Sequence, residues 1–253
     1  MANLKLTLQY DGAWFAGYEL QPGRRTVRAE LAAALMRLYK TPVKFYASSR
    51  TDAGVHALGN VISFDPPSAI ELSHLPVAFN SILPGDIRVV KAEAVKAKFN
   101  ARFDATGKTY EYLIFNGRIV PPAIRHVAWQ VKPELDLAAM KKAAGSLVGR
   151  HDFSSFCAAG GADKDFVRTI HSFVIRNSSF VIWDSEKTKL IHLRITGNGF
   201  LYKMVRNMVG TLVAVGLGQR EPGDVKKILL AKDRRQAGKT APAHGLCLIK
   251  VTY

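Results

Sequence analysis

Leu4, Leu6, Leu8 and Tyr10 alternate with Lys5, Thr7 and Gln9 near the start of the chain. That is the period of a strand with one face buried, and Asp11-Gly12 ends it as a turn. Thr26 stands ahead of an apolar stripe of Val27, Leu31, Leu35 and Leu38. The stripe predicts a capped amphipathic helix, with Arg28 and Arg37 off the buried face. Two strand-like runs follow at 43–48 and 60–64, separated by a polar stretch. A helix is expected over about 71–82, ahead of Pro84-Gly85, and then a long strand from Ile87 to about Phe99. The order β-α-β-β-α-β is that of a ferredoxin-like, split βαβ unit.

The second half has a similar outline. Strands are expected over 108–115 and 127–131, a helix over 136–148, and strand-like runs near 168–176, 179–184 and 189–196. Helices over 200–217 and 223–231 precede a final strand at 246–253. No residue-level repeat links the halves, so any duplication is one of topology. The pattern predicts an α+β fold in which two ferredoxin-like halves share a mostly antiparallel sheet. Helices cover one face and leave a basic, aromatic-bearing cleft on the other. Asn100 to Ala105 is the expected link, giving halves of 1–104 and 105–253.

Charge adds a partner to this picture. The 253 residues hold 36 Lys and Arg against 20 Asp and Glu, a formal charge of +16. Such a surplus favours a polyanion, because each cation on a phosphate releases a condensed counterion. A solvated basic surface is the alternative. No run reaches the ~18 apolar residues of a membrane span. The N-terminus reads as a strand and not as a signal peptide. Cys157 and Cys247 supply neither a disulfide framework nor zinc-ligand spacing. A reduced, cytoplasmic protein is expected.

The polar stretch between the two strands is Arg50-Thr51-Asp52-Ala53-Gly54-Val55-His56-Ala57. An Asp before a small residue and Gly is commonly a turn former. Here it also has Arg50 two residues away, and flanking strands to hold it still. A carboxylate in electropositive surroundings stays ionised at neutral pH, available as a nucleophile or general base. Arg206 lies on the expected helix 200–217; a buried arginine needs an anion, and Asp52 is one of 20 acids that could supply it. Tyr110 and Tyr112 point to one face of their strand, as packing residues or as stacking platforms for unpaired bases. The aromatics of the 10–17 turn, and Arg24, Arg25 and Arg28, carry the same two readings. No nucleotide-loop, Rossmann, CxxC or GxSxG pattern occurs, and His56 has no second ligand at metal spacing. Neither a cofactor nor a metal is expected.

Together these residues resemble the TruA-type tRNA pseudouridine synthases. Arg50 to Ala57 is similar to that family's signature loop. Tyr10-Asp11-Gly12 with Phe15 and Gly17, Thr26-Val27, Lys108 to Tyr112, Arg168-Thr169-Ile170, Gly199 to Asn207 and Ala241 to Leu246 resemble its other motifs in order. The resemblance implies the pseudouridine synthase fold, and isomerisation of uridines 38, 39 and 40 in the tRNA anticodon stem-loop by a homodimer that needs no cofactor. It implies Asp52 as the catalytic aspartate and Arg50 as the residue that intrudes as the base is extruded. Tyr110 would pack on that base, Arg206 would pair with Asp52, and Leu246 would line the pocket. Whether the carboxylate attacks C1′, attacks C6 or removes a C2′ proton is left open by residue type. Two positions depart from the family pattern: Glu19 and Arg28 stand where glutamines are usual. A non-catalytic RNA-binding module would share the charge and the aromatics but leave the Asp52 loop unexplained. A metal-dependent nuclease would require a second acid beside Asp52.

Overall fold

The computed structural model describes residues 3–161, 163–180 and 188–253. In chain order the strands and helices are β1 (Asn3–Tyr10), α1 (Val27–Tyr39), β2 (Phe45–Ala47), β3 (His56–Phe64), α2 (Leu75–Asn80), β4 (Ile87–Val95), β5 (Gly107–Asn116), β6 (Trp129–Val131), α3 (Leu137–Gly145), β7 (Gly149–Asp152), β8 (Val167–Phe180), β9 (Thr188–Gly197), α4 (Met204–Gly216), α5 (Asp224–Ala231) and β10 (Leu246–Thr252). The fold is α+β. Contacts divide the chain into two units, Met1–Thr106 with Cys247–Tyr253, and Gly107–Leu246.

In the first unit the strands run in the order β4-β1-β3-β10, and β2 also pairs with β3. All these pairings are antiparallel except that of β3 with β10, which is parallel through His56 with Cys247 and Ala57 with Leu248. The alternation in β1 is realised: Leu4, Leu6, Leu8 and Tyr10 are all buried. β3 is buried almost throughout, as a strand with neighbours on both sides and both faces covered must be. Thr26 caps α1, its hydroxyl accepting from the Ala29 N–H at 3.3 Å. Val27, Leu31, Ala34, Leu35 and Tyr39 form the helix's buried face.

The second unit orders its strands β5-β9-β8-β7, antiparallel throughout, with β6 added parallel to β5. Its centre is α4. Eleven of the thirteen residues of α4 are buried, Asn207 and Thr211 among them, so the helix lies inside the unit. Asp136 caps α3, accepting from the Ala138 and Ala139 N–H groups at 2.8 and 2.9 Å.

Several boundaries differ from the sequence expectation. α2 begins at Leu75 because Glu71 to His74 form a turn first, the His74 N–H bonding Glu71 O at 3.0 Å. α4 begins at Met204, since Lys203 sits in the left-handed region at φ 56°. Lys203 therefore does not share a helical face with Arg206. The expected run 168–176 extends to Phe180 as β8, and residues 181–184 of the run at 179–184 lie outside the described residues. Cys157 and Cys247 are not joined in a disulfide. Among the described residues, no helix is long and apolar enough to cross a membrane.

Candidate active site

The Asp52 loop is hung at both ends on β3. At one end the Ser48 N–H bonds Val61 O at 2.8 Å. At the other, Val55 and His56 lead directly into the strand. Between them sits Asn60, fully buried and at the centre of a polar cluster. Its Oδ1 accepts from the Ser48 hydroxyl at 2.9 Å, and its Nδ2 donates to Ser49 O at 3.1 Å and to the Tyr10 hydroxyl at 3.0 Å. Tyr10 OH in turn lies 2.8 Å from Thr51 Oγ1. A buried polar cluster satisfied in this way fixes one conformation. Arg50 and Ala53 are exposed, Asp52 is half-buried, and Thr51 and Val55 are buried. The loop thus presents its carboxylate from a backbone anchored on either side.

A second layer lies under the loop. The Tyr18 N–H bonds Thr51 O at 2.9 Å, and the Gly54 N–H reaches Phe15 O at 3.4 Å. This approach needs glycine. A Cβ on Gly12 would stand 2.0 Å from Val55 O, and one on Gly17, at φ +109°, would meet Thr51 O at 3.1 Å and Ala53 N at 3.2 Å. The 10–17 motif is therefore the floor of the Asp52 loop. His56 belongs to this floor: its Nδ1 accepts the Gly12 N–H at 3.1 Å. Asp11 Oδ1 is also 3.1 Å from that nitrogen, but one ring nitrogen cannot serve both. Accepting from Gly12 needs Nδ1 without its proton, whereas donating to Asp11 needs the proton there.

The structure divides the aromatics and arginines that the sequence left open. Phe15 and Tyr18 are packing residues, 4% and 0% exposed, whereas Trp14 is 67% exposed. Arg25 forms a bidentate pair with Asp86 at 2.7 and 2.8 Å, bonds Glu30 at 2.8 Å and stacks over Phe15 at 4.2 Å. It is a tie between elements. Arg28 reaches Glu19 at 3.1 Å and lies 4.5 Å over the Phe45 ring. The two departures from the family pattern therefore face each other: where two glutamines are usual, this chain has an ion pair.

Tyr110, Arg206 and Leu246 all belong to the second unit. Tyr110 is 9% exposed and meets Phe200 edge-on, with ring centroids 5.1 Å apart. Two residues along β5, the Tyr112 hydroxyl donates to Pro242 O at 2.7 Å, and burial holds its pKa far above the ordinary phenol value. Arg206 Nε donates to Ala241 O at 2.8 Å, and Arg206 O accepts from the Ala241 N–H at 3.1 Å. Leu246, buried, ends the segment that contains Pro242 and Ala241. The stretch 241–246 thus links α4, β5 and the start of β10, and ties the three residues into one framework. Asp52 and Arg50 share the loop of the first unit. Among the described residues, no three His, Cys, Asp or Glu side chains gather as a metal site.

Sequence reasoning missed Asn60, Tyr10 and Thr51 as the holders of the loop. The available signal was Asn60 itself, an amide in a strand otherwise rich in apolar residues, because a buried amide must find partners. It missed the 234–240 segment, which precedes the motif that begins at Ala241.

A family model described as tRNA pseudouridine synthase matches residues 7–104 and 143–253. The match takes in the Asp52 loop and its floor, together with Arg206 and the 241–246 stretch. The chain belongs to the tRNA pseudouridine synthase family, isomerases that convert uridine to pseudouridine. Its full-length relatives are more specific. The tRNA pseudouridine synthase A of Bacillus licheniformis is 47% identical over 253 residues, covering 99% of each chain. That of Bacillus subtilis is 45% identical over 253 residues with the same coverage. That of Moorella thermoacetica is 44% identical over 256 residues, covering 100% of each chain. Among solved structures, the archaeal box H/ACA sRNP Nop10-Cbf5 complex aligns at a TM-score of 0.33 and 10% identity, over 83% of this chain and 44% of that chain.

Proposed function

We propose that this chain isomerises uridine to pseudouridine at positions 38, 39 and 40 of the tRNA anticodon stem-loop, with Asp52 as the catalytic carboxylate. The observation that carries this reading is the mounting of Asp52: half-buried, in a loop whose flanking residues Thr51 and Val55 are buried and anchored. A reacting group held in one place converts binding into rate.

A base inside a stem is out of reach and must leave the stack. Arg50, exposed two residues from the carboxylate, fills the vacated place. Tyr110 stacks on the extruded uracil, and Leu246 closes the apolar side of its pocket. Arg206 serves as the counter-ion that orients Asp52. The C1′–N1 bond breaks, the uracil turns, and C5 bonds to C1′. C5 gives up its proton and N1 ends protonated, so the reaction balances with no added reagent. The chain acts in the cytoplasm as a homodimer with the tRNA lying across both copies. The half 1–104 carries the Asp52 loop, and the half 105–253 supplies the remaining side chains.

The test is incubation with unmodified tRNA, followed by nucleoside mapping of the anticodon arm. Pseudouridine is expected at positions 38 to 40 with the unaltered protein. With Asp52→Asn, turnover should fall by more than about 100-fold while tRNA binding holds. Full product formation by that variant would overturn the assignment. An RNA-binding module without activity would leave the nucleosides unchanged.

A further inference from the structure

Arg234 is a cation in an unusual setting. Its side chain is partly buried, and among the described residues no carboxylate pairs with it. Its partners are neutral: Nη2 donates to Asn207 Oδ1 at 3.0 Å and to Thr240 Oγ1 at 3.1 Å, and Nη1 lies 3.5 Å from Ala237 O. Burial pulls its pKa below the ordinary guanidinium value. Burying a charge among neutral acceptors is costly, so a neutral side chain would serve packing alone at least as well.

The contacts lead toward Arg206. Asn207 is fully buried, and its Oδ1 also accepts from the Thr240 hydroxyl at 2.7 Å, while its Nδ2 donates to Phe156 O at 2.7 Å. Thr240 adjoins Ala241, whose N–H and C=O both bond Arg206. The whole segment lies hard against α4. A Cβ on Gly210 would stand 1.8 Å from Lys239 O, and one on Gly238 would stand 2.8 Å from Thr211 Cα. The Gly238 N–H donates to Thr211 Oγ1 at 2.9 Å, and that hydroxyl donates to Asn207 O at 2.8 Å. With its Nε committed to Ala241 O, the Arg206 guanidinium has its plane set by the helix at one end and residue 241 at the other. An arginine fork recognises its partner only in the right plane.

We infer that Arg234 is a positioning residue for the isomerisation: through Asn207 and Thr240 it holds residue 241, and residue 241 holds the Arg206 guanidinium. This rests on the reading that Arg206 serves the reaction.

The experiment is a double-mutant cycle read by single-turnover pseudouridine formation on an unmodified tRNA transcript. Arg206→Gln, Arg234→Gln and the pair are compared, with tRNA affinity measured alongside. Arg234→Gln should slow the chemical step about tenfold at unchanged affinity, and should cost nothing further once Arg206 is Gln. Thr240→Val, which keeps the shape and removes the hydroxyl between Arg234 and Asn207, should slow the same step and show the same non-additivity. It serves if Arg234→Gln fails to fold. A normal rate for Arg206→Gln would show that the reading of Arg206 is wrong. A slow Arg206→Gln beside a normal rate for Arg234→Gln, or effects of the two that multiply, would overturn the positioning role alone.

Discussion

The hydroxyl of Tyr10 stands between Thr51 Oγ1 at 2.8 Å and the Asn60 amide nitrogen at 3.0 Å. Asn60 donates to Tyr10, and the Tyr10 and Thr51 hydroxyls share a hydrogen bond in which either can donate, next to Asp52. Tyr10→Phe keeps the ring and strands the buried Asn60 donor. The expected cost is about 1–3 kcal/mol of stability, measured by urea denaturation. Turnover should slow as well, because the loop loses one of its holders.

Gly12→Ala tests the floor of the loop. Its Cβ would be 2.0 Å from Val55 O, and the atoms it would meet, on Val55 and His56, are all backbone. The loop must shift, so stability should fall by about 1–3 kcal/mol and turnover should fall further than stability explains. Gly23→Ala is the comparison. At φ +65°, with nothing within 4 Å, it meets only backbone strain of about 1–2 kcal/mol. Its turnover should be near normal when both are assayed well below their melting temperatures.

Tyr110→Phe separates ring from hydroxyl. The edge-on contact of its ring with Phe200 is kept. With tRNA binding retained, turnover is expected to fall about 100-fold, because a phenol is a competent proton-transfer group. Unchanged turnover would limit Tyr110 to stacking.

Cys157 gives a pH-dependent prediction. Burial, reinforced by Asp163, raises its thiol pKa above the ordinary value. A raised pKa means less thiolate at pH 8, and the thiolate is the reactive form. A disulfide reagent at pH 8 should therefore modify Cys157 slowly in the native protein and rapidly once it is unfolded. Cys247→Ser isolates the signal. As pH rises toward the raised pKa, the native rate should climb.

Most elements were legible because their signals are local. The alternation of β1 and the Thr26 cap of α1 can be read in a few residues and hold in the structure. The family's ordered motifs also made the Asp52 loop visible. β7 was missed because Gly149-Arg150-His151-Asp152 has no apolar alternation; its pairing with β8 makes it a strand. The parallel pairings of β10 with β3 and β6 with β5 are tertiary choices that no short window contains. The same holds at the site. Asp52 was recognisable, but the Glu19–Arg28 pair and the bonds from Arg234 to Asn207 and Thr240 join residues separated by loops.

The parallel seat of β10 on β3 also governs timing. Cys247 and Leu248 pair with His56 and Ala57, at the strand's junction with the Asp52 loop. Ile249 O sits where any side chain on Gly59 would be, and the Tyr253 hydroxyl bonds Ala101 O at 2.9 Å. A ribosome makes Asp52 early and these residues about 200 positions later, at a rate of roughly 5–20 residues per second. Until they emerge, the edge of β3 beside the carboxylate has no partner. The unit that bears Asp52 is therefore completed only after the other unit has been synthesised, and the nascent chain stays unfinished beside the Asp52 loop while that happens.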